Sequence, residues 1–252
     1  MSKIVFITGA TSGFGKACAE KFASHGYDVV VNGRRKERLE ELCNALEKKY
    51  NIAVFMLPFD VREEQAVNDS INSLPTEWKN IDVLVNNAGL AVGRDYFEEA
   101  NTDDWNRMID TNVKGFAYVA KAVSKLMALR KQGHIINMGS VAGKQVYEKG
   151  NMYCASKFAV EALNQAMRID LLRHNIKVTG IHPGAAETEF SIVRFKGDES
   201  TAQSVYNGLK PLSAEDVADA IYYCASTPPH VCINDLVITC TAQANSMYTY
   251  KE

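Results

Sequence analysis

Seven short runs of aliphatic and β-branched residues recur along the chain, at 4–7, 29–31, 54–57, 83–85, 135–138, 178–181 and 236–238. They are nearly continuous rather than alternating. Such runs are buried on both faces, which is the property of a parallel sheet. Between them, 13–24, 35–49, 63–74, 103–130, 151–173 and 214–224 carry helical spacing and few breakers. Strand alternating with helix predicts βαβ units with right-handed crossovers. The expected class is α/β, a doubly wound parallel seven-stranded sheet with helices on both faces. A length of 252 residues suits one such domain over 1–252. The stretch 183–211 breaks the rhythm with Gly184, Gly197, Gly208 and a polar run at 196–200. Placed after the sixth strand, it reads either as a lid over 183–212 or as a surface loop, with the lid preferred.

Composition removes several function classes. Lys+Arg is 28 against Asp+Glu 30, a net charge of -2, so the basic excess of a nucleic-acid binder is missing. No run approaches the roughly 18 apolar residues of a membrane helix. Met1-Ser2-Lys3 runs into only four apolar residues, too few for a signal-peptide core, and a cytoplasmic protein is expected. The six cysteines contain no Cys-x-x-Cys pair and none stands at zinc-ligand spacing from a histidine. Reduced packing cysteines and no metal are expected.

The first strand enters Thr8-Gly9-Ala10-Thr11-Ser12-Gly13-Phe14-Gly15, and a helix follows. Glycine allows a tight turn and lets a pyrophosphate approach without a Cβ in the way. The helix start offers free N–H groups to phosphate charge. A glycine trio alone is a weak signal, but its place between a strand and a helix points to dinucleotide binding. An acidic residue roughly 20 positions past such a loop grips the ribose 2′-hydroxyl of NAD. Here that position is Gly33, and Arg34 and Arg35 follow. A carboxylate would repel a 2′-phosphate, whereas guanidinium groups grip it with charge-assisted hydrogen bonds. Cations at a helix start also oppose the dipole and call for another reason. The expected cofactor is NADP.

Ser140 ends the fifth strand, and Tyr153 and Lys157 lie four apart in the following helix, hence on one face. A free tyrosine, with a pKa near 10, is a poor base at neutral pH. A nearby ammonium and the positive nicotinamide ring favour its phenolate; lowering the pKa by ~2 units needs about 2.7 kcal/mol. Ser140 can hydrogen-bond the substrate oxygen whose proton Tyr153 exchanges. Taken singly, Tyr-x-x-x-Lys usually means a surface pair.

Taken together, the glycine loop, Asn86-Asn87-Ala88-Gly89, Asn112, Ser140, Tyr153, Lys157 and Pro183-Gly184 resemble the short-chain dehydrogenase/reductase family in order and spacing along the whole chain. The resemblance implies a Rossmann-fold NAD(P) oxidoreductase. It implies Tyr153 as general acid/base, Lys157 as the group that lowers its pKa and binds the nicotinamide ribose, and Ser140 as the group that orients the substrate carbonyl. Asn112 would hold a water in a proton relay. Gly9, Thr11, Ser12, Gly13, Phe14 and Gly15 would form the phosphate loop. Asp60 and Val61 would meet the adenine, and Asn87, Ala88 and Gly89 would line the cofactor, while Asn86 braces the sheet. Pro183, Gly184 and Thr188 would enclose the carboxamide. Ala186 departs from the larger aliphatic residue common there.

A finer likeness covers Thr188-Glu189-Phe190-Ser191, the run 193–198, Pro228-Pro229-His230-Val231 and Ile233-Asn234. These resemble the NADP-dependent 3-hydroxy acid (serine/allo-threonine) dehydrogenase branch, whose members also reduce small semialdehydes. The implied substrate is a small 3-hydroxy acid such as serine, allo-threonine or 3-hydroxypropanoate. Arg194, in the same stretch, is a candidate partner for its carboxylate, or else a surface or subunit-contact arginine. Reduction of another carbonyl (an acyl-carrier ketone, a sugar, a steroid) and a dinucleotide-binding regulator without chemistry are the alternatives. The stretches 113–129 and 155–172 are apolar on more than one face. A sheet buries only one face of each, so a second subunit is expected; the resemblance implies a homotetramer, a dimer of dimers.

Overall fold

The computed structural model describes residues 2–251. All seven runs form strands of one parallel sheet, β1 (Ile4–Ile7), β2 (Asp28–Gly33), β3 (Val54–Pro58), β4 (Ile81–Asn86), β5 (Gly133–Met138), β6 (Ile176–Pro183) and β7 (Asp235–Ile238). Their order is β3-β2-β1-β4-β5-β6-β7, every neighbouring pair parallel. Side chains alternate across it. Val5, Ile7, Val29, Val31, Val83 and Val85 meet Phe22 of α1 (Gly13–Ala23), Leu39 and Leu46 of α2 (Lys36–Tyr50), and Ile221 of α9 (Ala214–Ala225). Ile4, Phe6, Val30, Leu84, Ile135 and Val178 meet Val67 and Ile71 of α3 (Glu64–Asn72), and Val119, Val123 and Met127 of α5 (Phe116–Arg130). Burial on both faces is therefore what the continuous apolar runs encode. The edge strand β7 departs from this. Leu236 and Ile238 face the core, whereas Val237 is 55% exposed.

The strand order reverses between β1 and β4, and a crevice opens beyond the carboxyl ends of the strands there. Two expectations along the chain need correction. The helix expected over 103–130 is broken into α4 (Thr102–Ile109), a π-helical segment (Asp110–Gly115) and α5. A Cβ at Gly115 would stand 2.9 Å from the Val61 carbonyl oxygen, so the chain presses against the residues after β3 at that point. The helix expected to 173 is α6 (Asn151–Asp170), followed by a short 3-10 turn (Leu172–His174).

The irregular stretch after β6 holds two short helices, α7 (Glu189–Arg194) and α8 (Glu199–Ser204). Lys196 and Gly197, both at positive φ (55° and 94°), make the turn between them. The base of the stretch is closed by backbone bonds from Glu187 N to Leu212 O, 2.9 Å, and from Leu212 N to Ala185 O, 3.0 Å. It is thus an excursion with paired ends standing over the crevice.

Candidate active site

The crevice is a cleft of about 520 Å³, and most of the residues expected to hold the cofactor line it. Gly9 turns at φ +66°, and a Cβ there would stand 3.1 Å from Ala88 Cα. Gly13, at φ +50°, opens α1 and faces Thr188 of the lid. Among the described residues no side chain caps that helix start, although Ser12 occupies the capping position. Gly15 is absent from the cleft wall. A Cβ on it would strike the Gly9 carbonyl, so it lets the helix pack under the loop. Asn87 and Ala88 hold the floor. Both backbone N–H groups donate to Thr8 Oγ1 at 2.9 Å, and Asn87 Nδ2 donates to Thr8 O at 2.8 Å. Asn86 turns away and donates to Phe116 O, 3.0 Å, which braces β4 against α5.

At the far end of the cleft, Gly33 leaves room for Thr11, whose methyl a Cβ would meet at 2.6 Å. Arg35 Nη2 donates to Thr11 Oγ1, 2.8 Å, and to Ser12 Oγ, 3.2 Å, so its guanidinium lies across the glycine loop. Arg34 reaches Asp60 at 3.8 Å. Burial pushes the Asp60 carboxyl up, but the hydrogen bonds and charge of Arg62, with the charge of Arg34, hold it below the usual carboxylate range. Val61 beside it lines the cleft. These residues fit a 2′-phosphorylated dinucleotide: a glycine cradle without Cβ atoms, and two guanidinium groups where a carboxylate would stand for NAD.

At the inner end, Ser140 lies two residues past β5, in extended backbone at the start of a short 3-10 turn (Val141–Gly143), its hydroxyl accepting from Ala142 N at 3.1 Å. Tyr153 and Lys157 share one face of α6, as their spacing dictates. Lys157 Nζ donates to Met138 O, 2.9 Å, and burial pushes its pKa down to about 8. Burial also pushes the Tyr153 phenol up, with Tyr147 adding to the rise. The Ser140 hydroxyl and the Arg194 charge pull it back. Arg194 is thus a second cation beside the phenol, while the Lys157 ammonium is hydrogen-bonded to the end of β5. Asn112 lies in the π-helical segment and does not line the cleft. Its Oδ1 accepts from Leu90 N, 2.8 Å, and its Nδ2 donates to Leu90 O, 2.8 Å, and Ser156 Oγ, 3.0 Å. Both amide hydrogens are spent, so a water there can meet only an acceptor.

Arg194, at the end of α7, points its guanidinium between two tyrosines. Its central carbon lies 5.5 Å from the Tyr147 ring and 5.5 Å from the Tyr153 ring. Its buried Nε and Nη2 have no hydrogen-bond partner among the described residues. Unpaired buried donors of a charged group are costly, and this one points at the cleft. On the cleft's roof, Pro183 ends β6 and Gly184 follows it, and Thr188 caps α7 by accepting from Phe190 N at 3.2 Å. The Phe190 ring lies 5.7 Å from that of Tyr153.

Four residues of this site escape sequence reasoning. Glu189 bridges the lid to the cofactor end, 3.3 Å from Arg35 and 3.0 Å from Arg38. Gln243 accepts from Ala185 N at 2.7 Å and backs Gly184. Tyr147 walls Arg194. Of the four, only Arg38 carried a signal, the helical spacing of three from Arg35; the others meet the cleft through long-range folding.

A family model described as short chain dehydrogenase matches residues 3–198. The chain is 45% identical over 234 residues to the NADP-dependent 3-hydroxy acid dehydrogenase YdfG of Escherichia coli (strain K12), covering 92% of this chain and 93% of that one. It is 43% identical over 249 residues to sulfoacetaldehyde reductase 2 of Chromohalobacter salexigens, covering 98% of each. Among solved structures it resembles the closed form of serine dehydrogenase complexed with NADP+, at TM-score 0.92 and 42% identity, covering 99% of each chain.

Proposed function

The chain belongs to the short-chain dehydrogenase family, and we propose that it transfers a hydride between NADP and the β-carbon of a small 3-hydroxy acid. It is an NADP-dependent oxidoreductase acting on CH–OH groups. The substrate is a compound of the serine, allo-threonine or 3-hydroxypropanoate type. The observation that carries this choice is Arg194, a half-buried guanidinium with two unpaired buried donors beside Tyr153. A planar fork of donors matches a carboxylate bidentately, and a carboxylate two carbons from the reacting hydroxyl would satisfy them.

When bound, NADP supplies the hydride acceptor in one direction and the hydride donor in the other. The chain's own residues do the rest. Gly9, Thr11, Ser12, Gly13, Phe14, Arg34 and Arg35 hold the phosphates, with Gly15 packing the helix beneath them. Asp60 and Val61 meet the adenine end, and Asn87, Ala88 and Gly89 form the floor. Lys157 holds the nicotinamide ribose, and Pro183, Gly184 and Thr188 enclose the carboxamide. Ser140 donates to the substrate oxygen, and Tyr153 takes or returns that oxygen's proton. The Arg194 charge favours the phenolate and fixes the substrate's carboxylate, so one side chain serves both. Asn112 clamps Leu90 and leaves an acceptor for a relay water. The stretch 183–212 is the substrate lid of one domain over 1–252, tied to the cofactor end by Glu189.

A second reading is a sulfonate in place of the carboxylate, since one relative is named a sulfoacetaldehyde reductase. We place the enzyme in the cytoplasm as a homotetramer. The six unpaired cysteines suit a reducing compartment. An apolar stripe on α6 suits a helix-to-helix contact between subunits. The test compares kcat/KM with NADP for 3-hydroxypropanoate, 2-hydroxyethanesulfonate and 1,3-propanediol. The acid is expected to lead the uncharged diol by at least about tenfold, the scale of one charge-assisted hydrogen bond. A diol that matches the acid overturns the assignment, and a leading sulfonate selects the second reading.

A further inference from the structure

Four charged or titratable side chains with no part in the chemistry above meet behind Ser140. His182, 1% exposed, is the penultimate residue of β6. Its Nε2 lies 2.6 Å from Asp235 Oδ1 and 3.2 Å from Glu161 Oε2. Asp235 opens β7, and Glu161 stands on α6 one turn beyond Lys157. Lys144, in the turn that follows Ser140, lies 2.6 Å from Asp235 Oδ2 and 3.4 Å from Glu161 Oε2. The ligand-type atoms of Glu161, His182 and Asp235 all lie within 4.8 Å of one another, a spacing a metal ion would accept. The Lys144 ammonium already stands among the carboxylates, so the chain supplies its own cation.

The other edge of the imidazole faces the Gly139–Ser140 backbone. A Cβ at Gly139 would lie 2.6 Å from the ring's Cε1, and one at Gly180 would lie 2.7 Å from Nε2. Glycine at both places lets the ring fit. The ring packs against this strand-end backbone without a hydrogen bond, since Nδ1 has no partner among the described residues; the two carboxylates raise the imidazole pKa, while burial and Lys144 lower it further. Ser140 is otherwise held by its hydroxyl accepting from Ala142 N, 3.1 Å, by its carbonyl accepting from Gly143 N, 2.9 Å, and through Gly139 N donating to Ile181 O, 2.7 Å. Gathering four charged or titratable groups in one partly buried place costs desolvation that an apolar residue at 182 would avoid.

We propose that His182, held by Asp235, Glu161 and Lys144, is a positioning residue that fixes the Ser140 peptide and so aims the Ser140 hydroxyl at the substrate oxygen. The proposal rests on the reading of Ser140 as a hydrogen-bond donor to substrate. It ties the sheet edge at β7 to the reacting centre through one imidazole. Lys157 and Glu161, one turn apart, divide α6 between the chemistry and its support.

The test is a double-mutant cycle of Asp235→Asn with Ser140→Ala. It is read by single-turnover hydride transfer with excess enzyme and NADP, using whichever of 3-hydroxypropanoate, 2-hydroxyethanesulfonate and 1,3-propanediol the wild type oxidises fastest. Asp235→Asn keeps its shape at the sheet edge and is expected to slow hydride transfer about tenfold, because small misplacements at a reacting centre are costly. The NADP dissociation constant, read by protein fluorescence, stays within about twofold, and the loss disappears in the Ser140→Ala background because the two share one path. Glu161→Gln, on another element, repeats the pattern if Asp235→Asn does not fold. An unchanged rate in the singly substituted protein, or the same loss in both backgrounds, overturns the proposal while leaving the site standing. A Ser140→Ala protein as fast as wild type overturns the reading of Ser140 and the proposal with it.

Discussion

At the scale of single residues, chemistry here depends on which side chains share a wall. Tyr153 and Lys157 are legible in the sequence because helical spacing fixes their common face. The Arg194 charge beside Tyr153 is not legible there. Arg194 belongs to a six-residue helix, Tyr147 to a turn, and only folding brings them to the phenol. The same holds for Glu189, whose two arginine partners lie more than 150 positions away. Tyr153→Phe keeps the ring against Phe190 and removes only the hydroxyl. It is expected to lower kcat by ~10²–10⁴-fold, the usual share of general acid/base help, with the NADP dissociation constant nearly unchanged. Turnover within about threefold of wild type would assign the proton to another group.

At the scale of elements, the apolar runs announce the strands because the five inner ones are buried on both faces, the edge strands β3 and β7 being only partly covered. The break between α4 and α5 is invisible in the same residues. A π-helical turn keeps helical periodicity almost intact while shifting one hydrogen bond, and this one ends where Gly115 approaches Val61. α7 and α8, six residues each, are too short to show a period. The pairing of β5 with β6 carries a pH signature. His134 on β5 meets Thr179 on β6 at 2.7 Å, and the threonine hydroxyl donates on to Ile233 O, so the imidazole is the donor. Burial, with the Lys177 charge, pushes its pKa down to about 3. As pH falls from 6.5 toward 3, the unfolded chain takes up a proton that the folded chain refuses. Stability therefore falls in that window by up to about 1.4 kcal/mol per pH unit. His134→Gln keeps a donor without the proton uptake. Its denaturant midpoint is expected to fall less than wild type's over that range, and parallel acid profiles would contradict this.

At the scale of the whole molecule, Phe116, Val119, Ala120, Val123 and Met127 of α5 are buried inside the chain, while Leu129 at its end is 85% exposed. Of the stretch expected to meet a second subunit, Leu129 is the large apolar side chain left exposed. More of this apolar surplus is on α6 and the turn after it, where Phe158, Ile169 and Leu172 stand exposed, the last two at 74%. Replacing Ile169 and Leu172 with Asp is expected to convert an oligomer into smaller species by sedimentation. A wild-type monomer at micromolar concentration would refute the contact. A net charge of -2 gives the molecule no global attraction for anions, so an anionic substrate must be gripped by local cations. Among the described residues, Arg194 is the one placed beside Tyr153 with buried donors unpaired. The decisive measurement is the ratio of kcat/KM for 3-hydroxypropanoate to that for 1,3-propanediol, in wild type and in Arg194→Ala. Loss of a charged hydrogen bond costs about 1.5–3 kcal/mol, so the ratio is expected to fall by about ten- to a hundredfold, through KM for the acid. A ratio that the substitution leaves unchanged would contradict the account.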